Sequence, residues 1–329
     1  VQSLRSLGRI SEFDELVEAA IKAHGTNWRL LRGAALQYVS VDQWGFIVAG
    51  KFERGSHRGG GKYVTSTPRD RVRALQLMQQ AVPLAAKDDS KSEVARFYLE
   101  FASILQAVEA WRLQALTDLT VLPDYEDGNM GWGGRGRFRG GFAPGGENKG
   151  APVDADGQPV FHQIPKSWDA AISDGQRWRW MLTQAVEFDN SLRNEVDFGW
   201  AQFLHGQFGV QTMAWLRNDS GRDDDKDDSG PYAVHTLSDD ETISKLATGV
   251  KRLKLPAEFN SLQIYRQIFE RGNDSYAKSA GDMVAQTYED RRQYVKAAAA
   301  WKQAIAKFGD ENHRQQRLDQ IVNNWGRFE

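Results

Sequence analysis

Apolar residues recur along most of the chain at intervals of three and four, the spacing that places them on one face of a helix. Segments of this kind cover roughly 91–118, 167–187 and 190–206, and Phe13 to Gly25 has the same pattern. Strict alternation of apolar and polar residues, which marks a half-buried strand, is nearly absent. The pattern predicts an all-α fold in which sheet is minor.

The clearest pattern lies between Gly281 and Asp310, at the intervals of a tetratricopeptide (TPR) helical hairpin. Ala285 precedes Tyr288 by three residues, and Ala297, nine residues further on, precedes Trp301 by four. The alanines let two antiparallel helices approach closely, and the aromatic side chains fill the groove beside them. The residues expected to pack this hairpin are Ala285, Tyr288, Ala297, Trp301 and Ala304.

Weaker copies of these intervals occur upstream. Ala35 precedes Tyr38 by three residues, and Ala95 precedes Tyr98 by three. Each hairpin of such an array buries its apolar face on its neighbours, so several are needed for stability. We therefore expect a TPR-like helical-hairpin solenoid, with Gly309 ending the second helix of the clearest hairpin.

Long polar, glycine- or aspartate-rich insertions interrupt the helical pattern. One lies near 50–66 within N-terminal repeats that occupy 1–121, and an acidic loop lies near 218–236 within C-terminal repeats that occupy 166–329. Between the two sets, 122–165 reads as a glycine-rich insertion. Hairpin arrays accept such loops because each unit contacts only its neighbours.

Local signals add one strand pair and two helix starts. Asp156-Gly157 lies between Val153 and Val160, which predicts at most a small β-hairpin. Thr67-Pro68 predicts the beginning of a helix, and Ser238 to Glu241 has the form of a capping box at the beginning of another.

The totals exclude several classes of site. With no cysteine among 329 residues, disulfides, thiolate catalysis and cysteine zinc sites are absent. The six histidines show no metal-binding spacing, and no run approaches eighteen apolar residues, so no membrane span is predicted. A net charge of −2 argues against a nucleic-acid protein that relies on bulk positive charge.

Two short motifs suggest ligand sites that their details do not support. The stretch from Gly55 to Tyr63 does not match a phosphate loop, because Ser56 stands where the motif has its first glycine and Tyr63 where it has serine or threonine. We therefore expect a turn. The run from Arg222 to Asp228 lacks the glycine and distal glutamate of an EF-hand, and like-charged runs usually stay solvated. We therefore predict no catalytic residue, no cofactor and no metal site.

The stretch from Gly131 to Gly146 mixes arginine and aromatic residues with glycine, a composition too flexible for regular structure. Three arginines neutralise too few phosphates for strong RNA binding at physiological salt, although the aromatic residues can stack on bases. We expect a loop that lies over the helices and offers a protein partner its tip. The candidate partner-binding residues are Trp132, Arg135, Arg137, Phe138, Arg139 and Phe142.

Scattered phrases carry a family resemblance. The phrases GKFERGSHRGGGKYV, RDRVRALQLM, GAPVDADGQPVFHQIPKSW, DGQRWRW, FGVQTMA and RLDQIVNNWGRFE resemble the N-terminal helical region of large bacterial alpha-2-macroglobulin-like proteins. The resemblance implies a periplasmic, cell-surface or secreted setting, with macroglobulin-type β-sandwich domains following Glu329. Protease trapping in that family uses a bait segment and often a Cys–Gln thioester. A thioester is excluded within these cysteine-free residues, and no bait segment is recognisable.

These observations predict a non-catalytic interaction or scaffold module whose partner is a protein, either another chain or downstream domains of the same one. Two alternatives stay open: an enzyme that uses the groove on a polysaccharide, and an RNA binder that uses the arginine–glycine stretch. A peptide-binding groove should be lined with asparagine and arginine side chains. An enzyme should show a deep pocket with two convergent acids or an ion.

Overall fold

The computed structural model describes residues 1–128, 150–210, 233–310 and 313–325. About 59% of these residues are helical, and the described part contains eleven α-helices, so the expectation of a mostly helical protein is confirmed. The helices are α1 (Gln2–Ser6), α2 (Phe13–His24), α3 (Trp28–Ser40), α4 (Thr67–Ala85), α5 (Lys91–Gln106), α6 (Asp174–Phe188), α7 (Arg193–Phe208), α8 (Ser261–Arg271), α9 (Ser275–Asp290), α10 (Tyr294–Phe308) and α11 (Arg314–Trp325).

Contacts divide the chain into two compact units. The first contains the described residues of Val1–Gly146 and His162–Asp189, and the second those of Glu147–Phe161 and Asn190–Glu329. The division predicted from sequence, at 121 and 166, stays a prediction. Within the described ranges, no helix is both long enough and apolar enough to cross a bilayer.

In the first unit, α3 packs along α4 and α5 packs along α6. Helix α3 begins after Asn27, whose side-chain oxygen accepts hydrogen bonds from the backbone N–H groups of Arg29 and Leu30. Helix α4 begins at Thr67-Pro68, as the sequence predicts, because the first turn of a helix accommodates proline. The core between the helices is apolar, and Leu75 and Phe101 are fully buried there.

The prediction of at most one small β-hairpin is wrong. The 50–66 region belongs to an antiparallel four-stranded sheet of order β2-β1-β3-β4. Ala49 and Gly50 adopt positive φ at the turn between the first two strands, and the short, glycine-interrupted strands hide the alternation. The strands of this sheet are β1 (Trp44–Val48), β2 (Lys51–Arg54), β3 (Lys62–Thr65) and β4 (Glu126–Asp127).

A buried arginine joins this sheet to the helices of the first unit. Arg54 is 2% exposed, and its guanidinium pairs with Asp14 of α2 and Asp70 of α4, each at 2.7 Å. It also donates to the Ser66 hydroxyl and to the Asp42 carbonyl. Burial raises the pKa of Asp70, against the opposing effect of the Arg54 charge. Removing the Arg54 or the Asp70 side chain would leave the other with an uncompensated buried charge.

The second unit contains a β-hairpin of β5 (Glu241–Leu246) and β6 (Gly249–Lys254). The helix start predicted at Ser238 is therefore wrong. Ser238 and Glu241 do form the side-chain bonds of a capping box, but a strand comes next. Burial of Ile243 and Leu246, together with a bond from Thr242 to the Phe208 carbonyl, favours the strand over a helix.

The hairpin predicted around Asp156-Gly157 is reduced to a turn closed by one bridge, between Val153 and Pro159. Gly157 has the positive φ that such a turn requires. Extended pairing does not develop on either side of this bridge.

Helices α8, α9 and α10 follow one another and pack as neighbours. All five residues predicted to pack the α9–α10 hairpin are buried, the most exposed being Tyr288 at 3%. The Trp301 indole N–H donates to Glu289 at 2.6 Å. Gly309 ends α10 with a φ of +78°, which confirms the predicted stop.

Candidate functional site

Two stretches that the sequence singles out for chemistry fall in the gaps between the described ranges. The candidate partner-binding residues Trp132, Arg135, Arg137, Phe138, Arg139 and Phe142 lie outside the described residues, as does the acidic run 222–228. Among the described residues, no group of three or more His, Asp or Glu side chains is placed to hold a metal ion.

Two stretches of chain outside the α-helices lie against helices and are held there by polar side chains. We call residues 235–241, in the second unit, the docked segment. We call residues 115–123, in the first unit, the crossing segment. In each, helix and turn side chains donate to backbone carbonyl groups of the segment.

Arg291 holds the docked segment from the turn between α9 and α10. Its two terminal nitrogens donate to the carbonyls of Ser238 and Glu241, at 3.1 and 3.0 Å. The residue is 4% exposed, and burial lowers the pKa of its guanidinium. Arg292 turns the chain with a φ of +55° before α10 begins. A buried cation therefore binds the backbone of the segment.

Two amide side chains continue this pattern. The Gln293 amide donates to the carbonyls of His235 and Leu237, at 3.1 and 2.6 Å. The Asn260 amide donates to the carbonyl of Asp239 at 2.8 Å, while its oxygen caps α8. Together with Arg291, these side chains satisfy five carbonyls of one short segment.

One side chain of the docked segment, Asp239, is itself held by three helices. Its carboxylate accepts from Arg266 of α8 at 2.8 Å, from Tyr288 of α9 at 3.1 Å and from Lys296 of α10 at 3.0 Å. Partial burial raises the pKa of Asp239, but the bond from Lys296 and the two cationic charges outweigh it, so the pKa lies below its ordinary value. The carboxylate is therefore firmly ionised at neutral pH.

The neighbouring acids of the docked segment have other partners. Glu241 pairs with Arg252 at 2.7 Å, and bonds from Arg252 and the Ser238 backbone lower the pKa of Glu241 to about 2. Asp240 pairs with Lys254 at 3.1 Å. Arg266 and Lys296 are thus directed at Asp239.

In the first unit, the crossing segment is anchored by Asp174 at the beginning of α6. The buried Asp174 carboxylate accepts the Thr117 backbone N–H at 3.0 Å and also the Thr117 hydroxyl, while its own N–H donates to the Ala115 carbonyl at 2.8 Å. Arg71 pairs with Asp174 at 3.2 Å, and Arg177 donates to the Thr117 carbonyl at 2.9 Å. The anion here belongs to the helix.

Two residues of α4 hold the rest of the crossing segment. Gln76 donates to the Leu119 carbonyl at 3.0 Å, and Arg69 donates to the Pro123 carbonyl at 2.8 Å. A cleft of about 350 Å³ lies beside it. Among the described residues, Asp118 is the single acid in its lining: Gln79, Leu116, Thr117, Asp118, Leu119, Thr120 and Arg177.

Sequence reasoning anticipated the type of side chain but missed the residues. Arginine and asparagine were expected in a peptide-binding groove, yet Arg291 and Asn260 carry no local signal that separates them from other polar residues. Asp239 lies 27 residues from Arg266 and 57 from Lys296. Only the fold brings these three side chains together.

Comparison of the chain with protein-family models, with curated proteins and with solved structures gives no match. The resemblance to alpha-2-macroglobulin-like proteins therefore stays a hypothesis based on its scattered phrases.

Proposed function

We propose that this chain is a non-catalytic helical-repeat interaction or scaffold module that holds a polypeptide segment. The single observation that supports it most strongly is the capture of five carbonyls of the docked segment by Arg291, Gln293 and Asn260. Every polypeptide presents backbone carbonyls, so side-chain donors fixed on helices and turns suit a polypeptide ligand.

The same proposal includes a TPR-like solenoid as the scaffold. The spacing from Ala285 to Trp301 and the burial of these residues support it for α9–α10. The buried pair of Arg314 at the beginning of α11 with Asp282 of α9, at 2.6 Å, supports stacking of a further helix on that hairpin.

The phrases quoted above support a wider hypothesis, that the chain is the N-terminal part of a larger alpha-2-macroglobulin-like protein. On that hypothesis its setting is periplasmic, cell-surface or secreted, and any protease trapping resides outside these residues. The partner is then another protein or the downstream domains of the same one.

Selection from a random peptide display library against the immobilised chain tests the interaction proposal. We expect enriched peptides whose affinity falls about tenfold in Asn260→Leu and in Gln293→Leu, because each variant loses donors to peptide carbonyls. Lys302→Met is the matched control, since Lys302 is exposed on α10. No enrichment, or binding that both amide variants leave unchanged, would contradict the proposal. Turnover of a polysaccharide by the purified chain would favour the enzyme alternative.

A further inference from the structure

We propose that Arg266, Tyr288 and Lys296 form a binding site for an acidic residue of a partner polypeptide, and that Asp239 is the competitor that occupies this site within the chain. The inference rests on the proposed function and specifies its ligand. We call these three residues the carboxylate site.

Charge around the carboxylate site favours an anion. Arg266 and Lys296 both pair with Asp239, and buried Arg291 lies behind the segment with no carboxylate within ion-pairing distance among the described residues. Nearby Glu289 pairs with Arg317. Without the Asp239 carboxylate, cations would therefore outnumber the anions available to them, and another carboxylate would restore the balance.

Exposure allows exchange at the carboxylate site. The side chains of Arg266, Lys296 and Asp239 are 37%, 48% and 31% exposed. The side chains of Tyr288 and Arg291 are nearly buried, so packing holds them in position. A carboxylate from solution can therefore approach the two cations, whereas the hydrogen-bonding geometry beneath them is held by the packing of α9.

The flanking donors indicate a peptide rather than a free anion. Arg291 and Gln293 bind carbonyls on both sides of Asp239, and Asn260 binds the carbonyl of Asp239 itself. A ligand that uses all of them carries an aspartate or glutamate within a backbone folded like the docked segment, which has a 3-10 turn at Val234–Thr236 and a second turn at 239–240. The docked segment is such a ligand, so its own sequence supplies the probe.

The test is fluorescence anisotropy with a labelled synthetic peptide of residues 234–242, VHTLSDDET, titrated with the full chain. We expect the Asp239→Ala chain to bind the peptide about fivefold more tightly than the natural chain, because the tethered competitor loses the ion pairs of its side chain. Adding Arg266→Met or Lys296→Met to Asp239→Ala should reverse the gain, and Lys302→Met should leave it unchanged. Raising the salt concentration should weaken binding.

A second probe isolates the acid: the same peptide with asparagine at the position of Asp239 should bind the Asp239→Ala chain about fivefold more weakly. Amide hydrogen exchange of the natural chain gives a readout that needs no variant chain, because saturating peptide should speed exchange in 238–242.

Equal peptide binding by the natural and Asp239→Ala chains would overturn the inference. So would indifference to Lys296→Met, or no binding at millimolar peptide to a variant with a native thermal transition. Selected library peptides that depend on Asn260 and Gln293 but not on Arg266 or Lys296 would refute this inference and leave the proposed function standing.

Discussion

The crossing segment and the docked segment are held by the same kind of bond and differ in where the charge lies. In the first unit, the anion is Asp174 of α6, which is 2% exposed and binds the backbone and hydroxyl of Thr117. In the second unit, the anion is Asp239 of the segment itself, partly exposed between Arg266 and Lys296.

This difference separates an architectural contact from an exchangeable one. A buried anion that belongs to a helix must be satisfied by the chain that lies on it, so removing its partners carries a large desolvation cost. A partly exposed anion on the segment is solvated when it leaves, so breaking the ion pairs of Asp239 costs little, and a peptide that replaces the segment would supply carbonyls to the buried Arg291. On the proposed function, the crossing segment belongs to the fold of its unit and the docked segment to recognition.

The largest expected effect is at Asp174. Asp174→Ala should lower the free energy of unfolding by roughly 3–5 kcal/mol, because Arg71 and Arg177 lose a buried partner and Thr117 loses two bonds. Chemical denaturation checks this, with Asp89→Ala as the control because Asp89 is exposed between α4 and α5. A loss below about 1 kcal/mol would place Asp174 with the exposed pairs.

Acid should weaken the same unit through His162. Burial and the Arg179 charge lower the pKa of His162 to about 4, against about 6.5 in an unfolded chain. Since the unfolded chain binds the proton first, stability is complete above about pH 6.5 and is lost as the pH falls towards 4. The loss is at most about 3 kcal/mol.

Denaturation at pH 7 and pH 4.5 tests this. His162→Gln should flatten the pH dependence, whereas substitution of the exposed His24 should leave it intact. An unchanged dependence in His162→Gln would remove this histidine as the cause.

A smaller effect is expected at Gly175, in the first turn of α6. A Cβ there would lie 2.3 Å from the His162 ring, so Gly175→Ala should cost about 1–3 kcal/mol through overpacking. Gly199 of α7 is the matched control, because a Cβ at that position meets no atom within 4 Å. Gly199→Ala should be neutral or stabilise by up to about 1 kcal/mol. Equal melting temperatures for the two variants would contradict the close contact at His162.

The smallest effect on stability should come from Asp239→Asn, at about 1 kcal/mol or less, since the site is partly exposed. Denaturation at low and high salt should bring the variant and the natural chain together as screening increases. A loss as large as that of Asp174→Ala would abolish the distinction between the two segments and make the docked segment part of the fold.

The sequence by itself determined the helical character and several boundaries. The intervals from Ala285 to Trp301 mark residues that are buried in α9 and α10, and Gly309 ends α10 where its backbone freedom predicts. Thr67-Pro68 begins α4. These features are local, because periodicity and end signals act within a few turns of one helix.

Tertiary structure decided the strands and the polar sites. Ser238 to Glu241 has the sequence of a helix start, yet burial of Ile243 and Leu246 places those residues in a strand. The Asp174–Thr117 contact joins residues 57 apart, as does the Asp239–Lys296 pair. Charged and amide side chains occur throughout the chain, and they become sites only where packing fixes their distance and removes competing water, which no local pattern records.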